Sequence, residues 1–385
     1  MKIALLTYST KPRGGVVHTL ALAEALARAG EDVTVWSLGR GGDAAFFRPV
    51  DPAVTVRLVP FPDVPGEGVG DRILRSIAVL GDAFARRAER YDVVHAQDCI
   101  SANAVPDCVR TVHHLDTFTT PALAACHDRA VARPRALVCV SAAVAAEVER
   151  GWGRTPVVIP NGVDAARFAA AAGADGAAGR ARWRERLGRY VLAVGGIEPR
   201  KGTLDLVEAM ALLRRERPDL ALVIAGGETL FDHRDYRAHV EERAAALGVV
   251  PVVLGPVPHA DLPALVAAAE VLAFPSTKEG FGLAAMEALA AGVPLVTRDL
   301  PVLREVFGGA AAFAADPPGL AAKLLAAAGN VDPVRRAAGR ALAARHTWDA
   351  AAAAHLRFYA GGAALSRTTS RVGIVSISDA VLPPS

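Results

Sequence analysis

Hydrophobic positions along this chain follow two alternating patterns. Short β-branched runs, bounded by glycine, proline or polar residues, read as buried strands, and the longer Ala/Leu/Arg-rich runs between them read as helices. Strands are predicted at 2–7, 32–38, 54–59, 93–96, 110–112, 136–140 and 157–159, with helices at 16–29, stopped by Gly30, and at 71–90. From 165 to 179 the chain turns Ala/Gly-rich with no strand signal and is expected to be a linker. The alternation then restarts, with strands expected at 190–194, 220–225, 252–254, 271–274 and 294–297. Helices are expected from Gly202, near 233–247, near 260–268 and from Gly282. Strands alternating with helices predict an α/β chain of two Rossmann-like, doubly wound units. The expected division is 1–165 for the first domain, 166–180 for the linker and 181–345 for the second domain. A terminal helix at 346–362 and a disordered tail at 363–385 complete it.

Composition narrows the class. The chain has 385 residues, enough for two or three domains at roughly 150 residues each. Lys+Arg number 43 against 40 Asp+Glu, a net charge of +3, which argues against a dedicated nucleic-acid binder. Cys99, Cys108, Cys126 and Cys139 contain no CxxC pair, so reduced thiols in a cytoplasmic protein are expected. The apolar start at 1–7 is too short for a signal peptide, and no run of about 18 uncharged apolar residues predicts a membrane span. The arginines of helix 71–90 (Arg72, Arg75, Arg86, Arg87 and Arg90) form a solvated face. They leave peripheral contact with an anionic membrane open. Oligomeric state leaves no trace in the sequence.

In doubly wound folds ligands bind beyond the carboxyl ends of the strands, and the candidate chemistry lies in loops of that kind. The first loop, 8–15, ends in Gly14-Gly15 before a helix, where bare backbone amides can approach an anion. It is not GxGxxG, which counts against a nicotinamide oxidoreductase. The loop 195–202 places Gly196, Arg200 and Lys201 ahead of a helix start. The helix dipole disfavours cations there unless an anion lands between them. The strongest signal is 275–287, where a strand ends at Phe274 and a glycine-flanked turn leads into a helix at about Gly282. That aims the amides of Phe281, Gly282 and Leu283 at the cleft. Glu279 precedes the helix and Glu287 lies on it, so two carboxylates bracket an anion cradle. Each glutamate alone is explained as a helix-end or solvated charge; the whole string is not. His113-His114 has no third ligand at a metal spacing.

The segment from Glu279 to Glu287 resembles the E-x7-E motif of retaining glycosyltransferases of the GT-B fold, family 4 in particular. Ile159-Pro160-Asn161-Gly162-Val163-Asp164 is similar to the family's IPNGVD segment, Val140-Ser141 to its VS, and 222–227 to its central glycine-ended strand. The resemblance spans about 1–362. It implies two Rossmann-like domains facing a cleft, with the C-terminal helix returning to the first. It also implies that Glu287 binds a ribose, Glu279 the donor sugar, and Lys201 the diphosphate, assisted by Gly14, Gly15, Gly280 and the amides from Phe281 to Leu283. Gly255 to Val257 would line the base pocket, and His113 would approach the sugar from the first domain. The implied reaction is transfer of a hexosyl group from a nucleotide-diphosphate sugar to a small-molecule, glycan or lipid acceptor with retention of configuration. No Asp-x-Asp occurs, so no metal or other cofactor is expected. One position departs from the family, since Gly196 stands where it usually has Arg, and neighbouring Arg200 is a candidate to supply that charge. A nucleotide-sugar-binding protein with weak or no transfer is the alternative; epimerases and phosphorylases of this fold lack the E-x7-E string in this form.

Overall fold

The computed structural model describes residues 1–116, 118, 120–227, 233–330 and 332–366, with side chains through 361. Among these residues the first domain holds a sheet of β1 (Lys2–Leu6), β2 (Asp32–Arg40), β3 (Val54–Phe61), β4 (Val93–Ala96), β5 (Val109–Val112), β6 (Ala136–Cys139) and β7 (Val157–Val158). The second holds β8 (Arg189–Val194), β9 (Leu220–Ala225), β10 (Val252–Gly255), β11 (Val271–Phe274), β12 (Leu295–Arg298) and β13 (Ala312–Ala314). The spatial orders are β3-β2-β1-β4-β5-β6-β7 and β10-β9-β8-β11-β12-β13, with every adjacent pair parallel. Parallel strands need helical crossovers, and these cover both faces, so Ile3, Ala4, Leu5 and Leu6 of β1 are wholly buried. Strand order reverses between β1 and β4 in one sheet and between β8 and β11 in the other. The loops after these strands splay apart there and leave room for a ligand.

Four points of the expected layout need correction. The stretch expected to be a linker is two helices, Ala165–Ala172 and Ala177–Leu187, whose Phe168 and Trp183 are buried in the second domain's core. Alanine is the best helix former, so composition that read as flexible is helical once Asp164 caps it by accepting the Arg167 amide at 3.2 Å. Strand β13 carries no sequence signal, because its Ala-Phe-Ala has no β-branched residue. The helix expected at 71–90 runs Val69–Ala85. Of the expected tail, 363–366 continue the C-terminal helix Trp348–Ser366, and 367–385 lie outside the described residues.

The chain crosses between domains twice, side by side. Asn161 pairs its Oδ1 with His18 Nδ1 at 2.9 Å, and the Val163 amide donates to the His346 carbonyl at 2.7 Å. A Cβ on Gly162 would lie 2.4 Å from the Trp348 amide nitrogen, so only glycine lets the two crossings touch. The C-terminal helix then packs on helix Gly14–Arg28, with Trp348, Ala351, Ala352 and Tyr359 in one apolar cluster with Ile3, Leu5 and Leu20. From helix Pro301–Phe307 of the second domain, Glu305 reaches the first domain. Its carboxylate accepts the amides of Ala142 (2.7 Å) and Ala143 (2.9 Å), the opening residues of helix Ala142–Trp152. No helix among the described residues is long and apolar enough to cross a membrane.

Candidate active site

The loops after β8 and β11 meet at the second switch point. After β8 the chain passes Gly195 and Gly196 into a single 3-10 turn, Pro199–Lys201, closed by Gly202 at φ 64°. A Cβ on Gly202 would lie 2.2 Å from the Pro275 carbonyl oxygen, so glycine is what lets this turn press against the loop after β11. The Thr277 amide donates to the Arg200 carbonyl at 2.8 Å and locks the two loops together. Lys201 and Glu279 are thereby brought into contact, Nζ donating to Oε1 at 2.6 Å. Arg200 donates Nη1 to the same Oε1 at 3.1 Å and Nη2 to Glu198 at 2.8 Å. Burial would push the Glu279 carboxyl up, but Lys201 and Arg200 beside it outweigh that and hold it at about 2.

Below this ion cluster starts helix Leu283–Ala291. Its N-cap is Gly282 at φ 101°, with no side-chain cap and no acid in the first turn, so its positive end is left for something else. Phe281 is buried, and Gly280 lies where the domains touch. A Cβ on Gly280 would lie 1.6 Å from the His113 carbonyl oxygen.

His113 follows β5 and rests against Gly15, where a Cβ would be 3.6 Å from its ring. Its ring meets His18 edge-on at 4.7 Å between centroids, and its Nε2 is buried without a partner. Burial, reinforced by His114 and Arg110, lowers it to about 3, so the ring is neutral. The Gly14–Arg28 helix opens with no side-chain cap and no acid in its first turn, and open space surrounds Gly14. His114 turns aside to pair with Asp116 at 3.2 Å.

Glu287 sits in the second turn of the Leu283 helix, half-buried, with no hydrogen-bond partner among the described residues. Burial raises it to about 7, with Arg167 opposing and Asp164 adding to the rise. Arg167, which also bonds the His259 ring at 2.6 Å, was hidden by the linker reading. The only sequence signal for it was Asp164 three residues before Arg167 at the start of an alanine run. Gly255 and Val257 stand at the end of edge strand β10, two strands from β8, with Gly255 at φ 68°. Gly196 lies beside Gly195, whose added Cβ would meet the Lys201 side chain at 3.2 Å. The structure thus gathers Arg200, Lys201 and Glu279 at one point, and sets Gly15, His113 and Gly280 at the contact between domains. Gly255, Val257 and Glu287 make no hydrogen bond or ion pair with either group among the described residues. Among the described residues no group of three His, Cys, Asp or Glu is arranged to hold a metal ion.

Comparison with known proteins assigns a family model to each of the two domains. The family model described as Glycosyltransferase Family 4 matches residues 12–167, and that described as Glycosyl transferases group 1 matches residues 181–330. The D-inositol 3-phosphate glycosyltransferase of Salinispora arenicola is 33% identical over 77% of this chain and 76% of its own. Sucrose-phosphate synthase from Thermosynechococcus elongatus shares the fold, with a TM-score of 0.74 at 20% identity over 95% of this chain and 100% of its own. So does Anabaena HepE, solved with UDP and glucose, with a TM-score of 0.69 at 20% identity over 96% and 100%.

Proposed function

This chain belongs to glycosyltransferase family 4. On that premise we propose that it moves a hexosyl group from a nucleotide-diphosphate sugar to an acceptor hydroxyl, retaining the anomeric configuration without a metal ion. The observation that supports this most is the convergence of Lys201, Glu279 and the uncapped Leu283 helix at one switch point, facing Gly15 and His113. A leaving nucleoside diphosphate develops negative charge. Lys201, Arg200 and the helix end are fixed donors aimed at that position before the reaction begins, so little reorganisation is needed. Arg200 supplies a cation where Gly196 does not, but from a site tied to Glu198 and Glu279. The pair Glu198 and Glu279 balances Arg200 and Lys201, so an arriving diphosphate must share the cations with Glu279. All the cation contacts of Glu279 fall on Oε1, which leaves Oε2 for a hydroxyl of the donor sugar. Glu287 accepts the ribose hydroxyls.

His113, neutral and with a free Nε2, bonds the transferring sugar. The departing phosphate takes the acceptor proton, and the contact between His113 and Gly280 excludes water from the bond being broken. The decisive measurement is a donor screen by calorimetry and mass spectrometry across UDP-, GDP- and ADP-hexoses, with the UDP-hexoses first because HepE was solved with UDP and glucose. One nucleotide should bind, with slow release of free hexose of unchanged anomeric form. Binding without any hexose released would leave a nucleotide-sugar-binding protein, and no binding at all would overturn the reading.

A further inference from the structure

Strand β5 alternates its side chains, sending Thr111 to His95 beneath the C-terminal helix and Arg110 to the opposite face. Arg110 is 3% exposed, and its Nε and Nη1 are buried with no hydrogen-bond partner. No carboxylate lies within ion-pair distance of it among the described residues. The acid nearest in charge, Asp98, spends its oxygens on the amides of Ser101 (2.8 Å) and Tyr8 (3.0 Å) as the cap of helix Cys99–Ala104. The other groups acting on Arg110 are Cys99, Cys108 and Cys139. Burial pushes these thiols up to about 11, 12 and 12, so they are neutral and offer no counter-charge. An isolated buried guanidinium is costly unless something pairs with it.

His127, on helix Pro121–Ala132, is the second such group. It is 6% exposed, its ring packs edge-on to Trp152 at 5.7 Å, and its Nε2 is buried without a partner. The charges acting on it are Arg110, Asp116, Asp128 and Lys278. His127 also meets Phe118, which follows β5 beyond His113, at 5.5 Å between ring centroids, so this corner lies at the carboxyl end of the first sheet. Two unpartnered donors, one a permanent cation, thus lie in the first domain, which is the acceptor's side on the transferase reading.

We propose that Arg110 and His127 form an oxyanion subsite that holds a phosphate or carboxylate carried by the acceptor. This rests on the transferase reading above, and makes the acceptor an anionic one. The guanidinium can present Nε with Nη2 on one edge, or Nη1 with Nη2 at its end, as a fork to two oxygens, and His127 donates from Nε2 to a third or to a neighbouring face.

The test is calorimetric titration of inorganic phosphate, and in parallel acetate, into the full chain saturated with the nucleoside diphosphate it prefers, so that Lys201 and Arg200 are occupied. Saturable 1:1 binding of phosphate, acetate or both is expected. It should weaken at least tenfold in Arg110→Met, less in Arg110→Lys, and severalfold in His127→Phe, with nucleotide affinity changed less than twofold. Arg110→Met should melt no lower than the parent, because it removes an unpaired buried charge, and phosphate should raise the melting temperature of the parent alone. A hexose phosphate should compete with phosphate, and the free hexose should not. The proposal falls if neither anion binds saturably, or if Arg110→Met binds phosphate as the parent does. It also falls if Arg110→Met and Arg110→Lys both lose nucleotide affinity and melting temperature together, which marks a structural role. If no nucleotide binds at all, the transferase reading fails by its own isotherm, and phosphate titrated into Lys201→Ala still reports on Arg110.

Discussion

The two glutamates of the 275–287 segment titrate in opposite directions, and the difference predicts their roles. Glu287 is raised from 4.5 to about 7 by burial. At pH 6 its carboxyl is mostly protonated in the free fold, whereas a ribose diol is held best by a carboxylate that accepts both hydroxyls. Nucleotide affinity should therefore rise from pH 6 to pH 8, with proton release on binding at the lower pH. Calorimetry in buffers of different ionisation enthalpy reads both effects. Glu287→Gln should lose the pH dependence and about 1.5–3 kcal/mol of affinity, the range for hydrogen bonds to a charged group. An affinity that falls with pH would contradict this assignment. Glu279 is held at about 2 against 4.5 in the unfolded chain. Its contribution to stability is complete above pH 4.5 and lost as pH falls from there toward 2. Glu279→Gln should flatten the acid limb of a thermal-melt profile across that window and leave the melt above pH 6 lower than the parent's, since Lys201 then lacks its carboxylate and Arg200 keeps only Glu198. Lys201→Ala removes one fixed donor from the leaving group and should cost about 3 kcal/mol of transition-state stabilisation, on the order of a hundredfold or more in kcat.

Among the elements, the touching loops carry the most specific geometry. Gly280→Ala would drive a methyl into the His113 carbonyl, and the β5 loop cannot yield without moving His113. On the proposed reading the nucleotide is gripped mainly by Lys201, Arg200 and Glu287 of the second domain, so nucleotide affinity should stay within a factor of about three while transfer falls at least tenfold. A loss of affinity as large as the loss of rate would place Gly280 in the donor site instead. The sequence carried a good part of this arrangement. Strands with β-branched runs were legible because buried parallel strands are nearly continuous apolar segments, and the loops after them followed from the alternation. Glu279 and Lys201 stand out in the sequence because glycines and charges beside a helix start are out of place unless a ligand is near, whereas His113 follows a strand and is singled out only by the family resemblance. The helices at 165–187 were not legible, because alanine-rich composition fits a flexible linker and a helix equally until the burial of Phe168 and Trp183 decides it. Arg167 went unseen with them. Arg110 was unreadable for a different reason. An arginine inside a strand looks like a solvated edge charge, and only the burial of its nitrogens shows that nothing in the chain satisfies it.

At the scale of the molecule, the proposed transfer needs the two domains to meet and part, and the structure shows what holds them together. The paired crossings touch at Gly162 and Thr347, so any bending between the domains there must involve both at once. Away from that line, Glu305 holds the first two amides of helix Ala142–Trp152, and His113 abuts Gly280. Ser141 caps the same helix through the Val144 amide at 3.3 Å, so Glu305 is not needed to form the helix and acts chiefly between domains. A carboxylate on a helix N-terminus is worth about 0.5–2 kcal/mol. Losing that from the closed form alone shifts the open–closed ratio by roughly 2- to 30-fold. Glu305→Ala should therefore enlarge the radius of gyration measured by X-ray scattering in the absence of nucleotide, with the melting temperature of each domain nearly unchanged. Saturating nucleotide should restore much of the compaction, since a donor gripped by Lys201 and reached by His113 binds the closed form better and shifts the balance back. The rate of transfer at saturating donor should fall in the same proportion as the closed fraction. An unchanged radius together with an unchanged rate would mean that the Glu305 contact is too weak to govern closure, and that the hinge and the His113–Gly280 contact alone set the approach of the two sites.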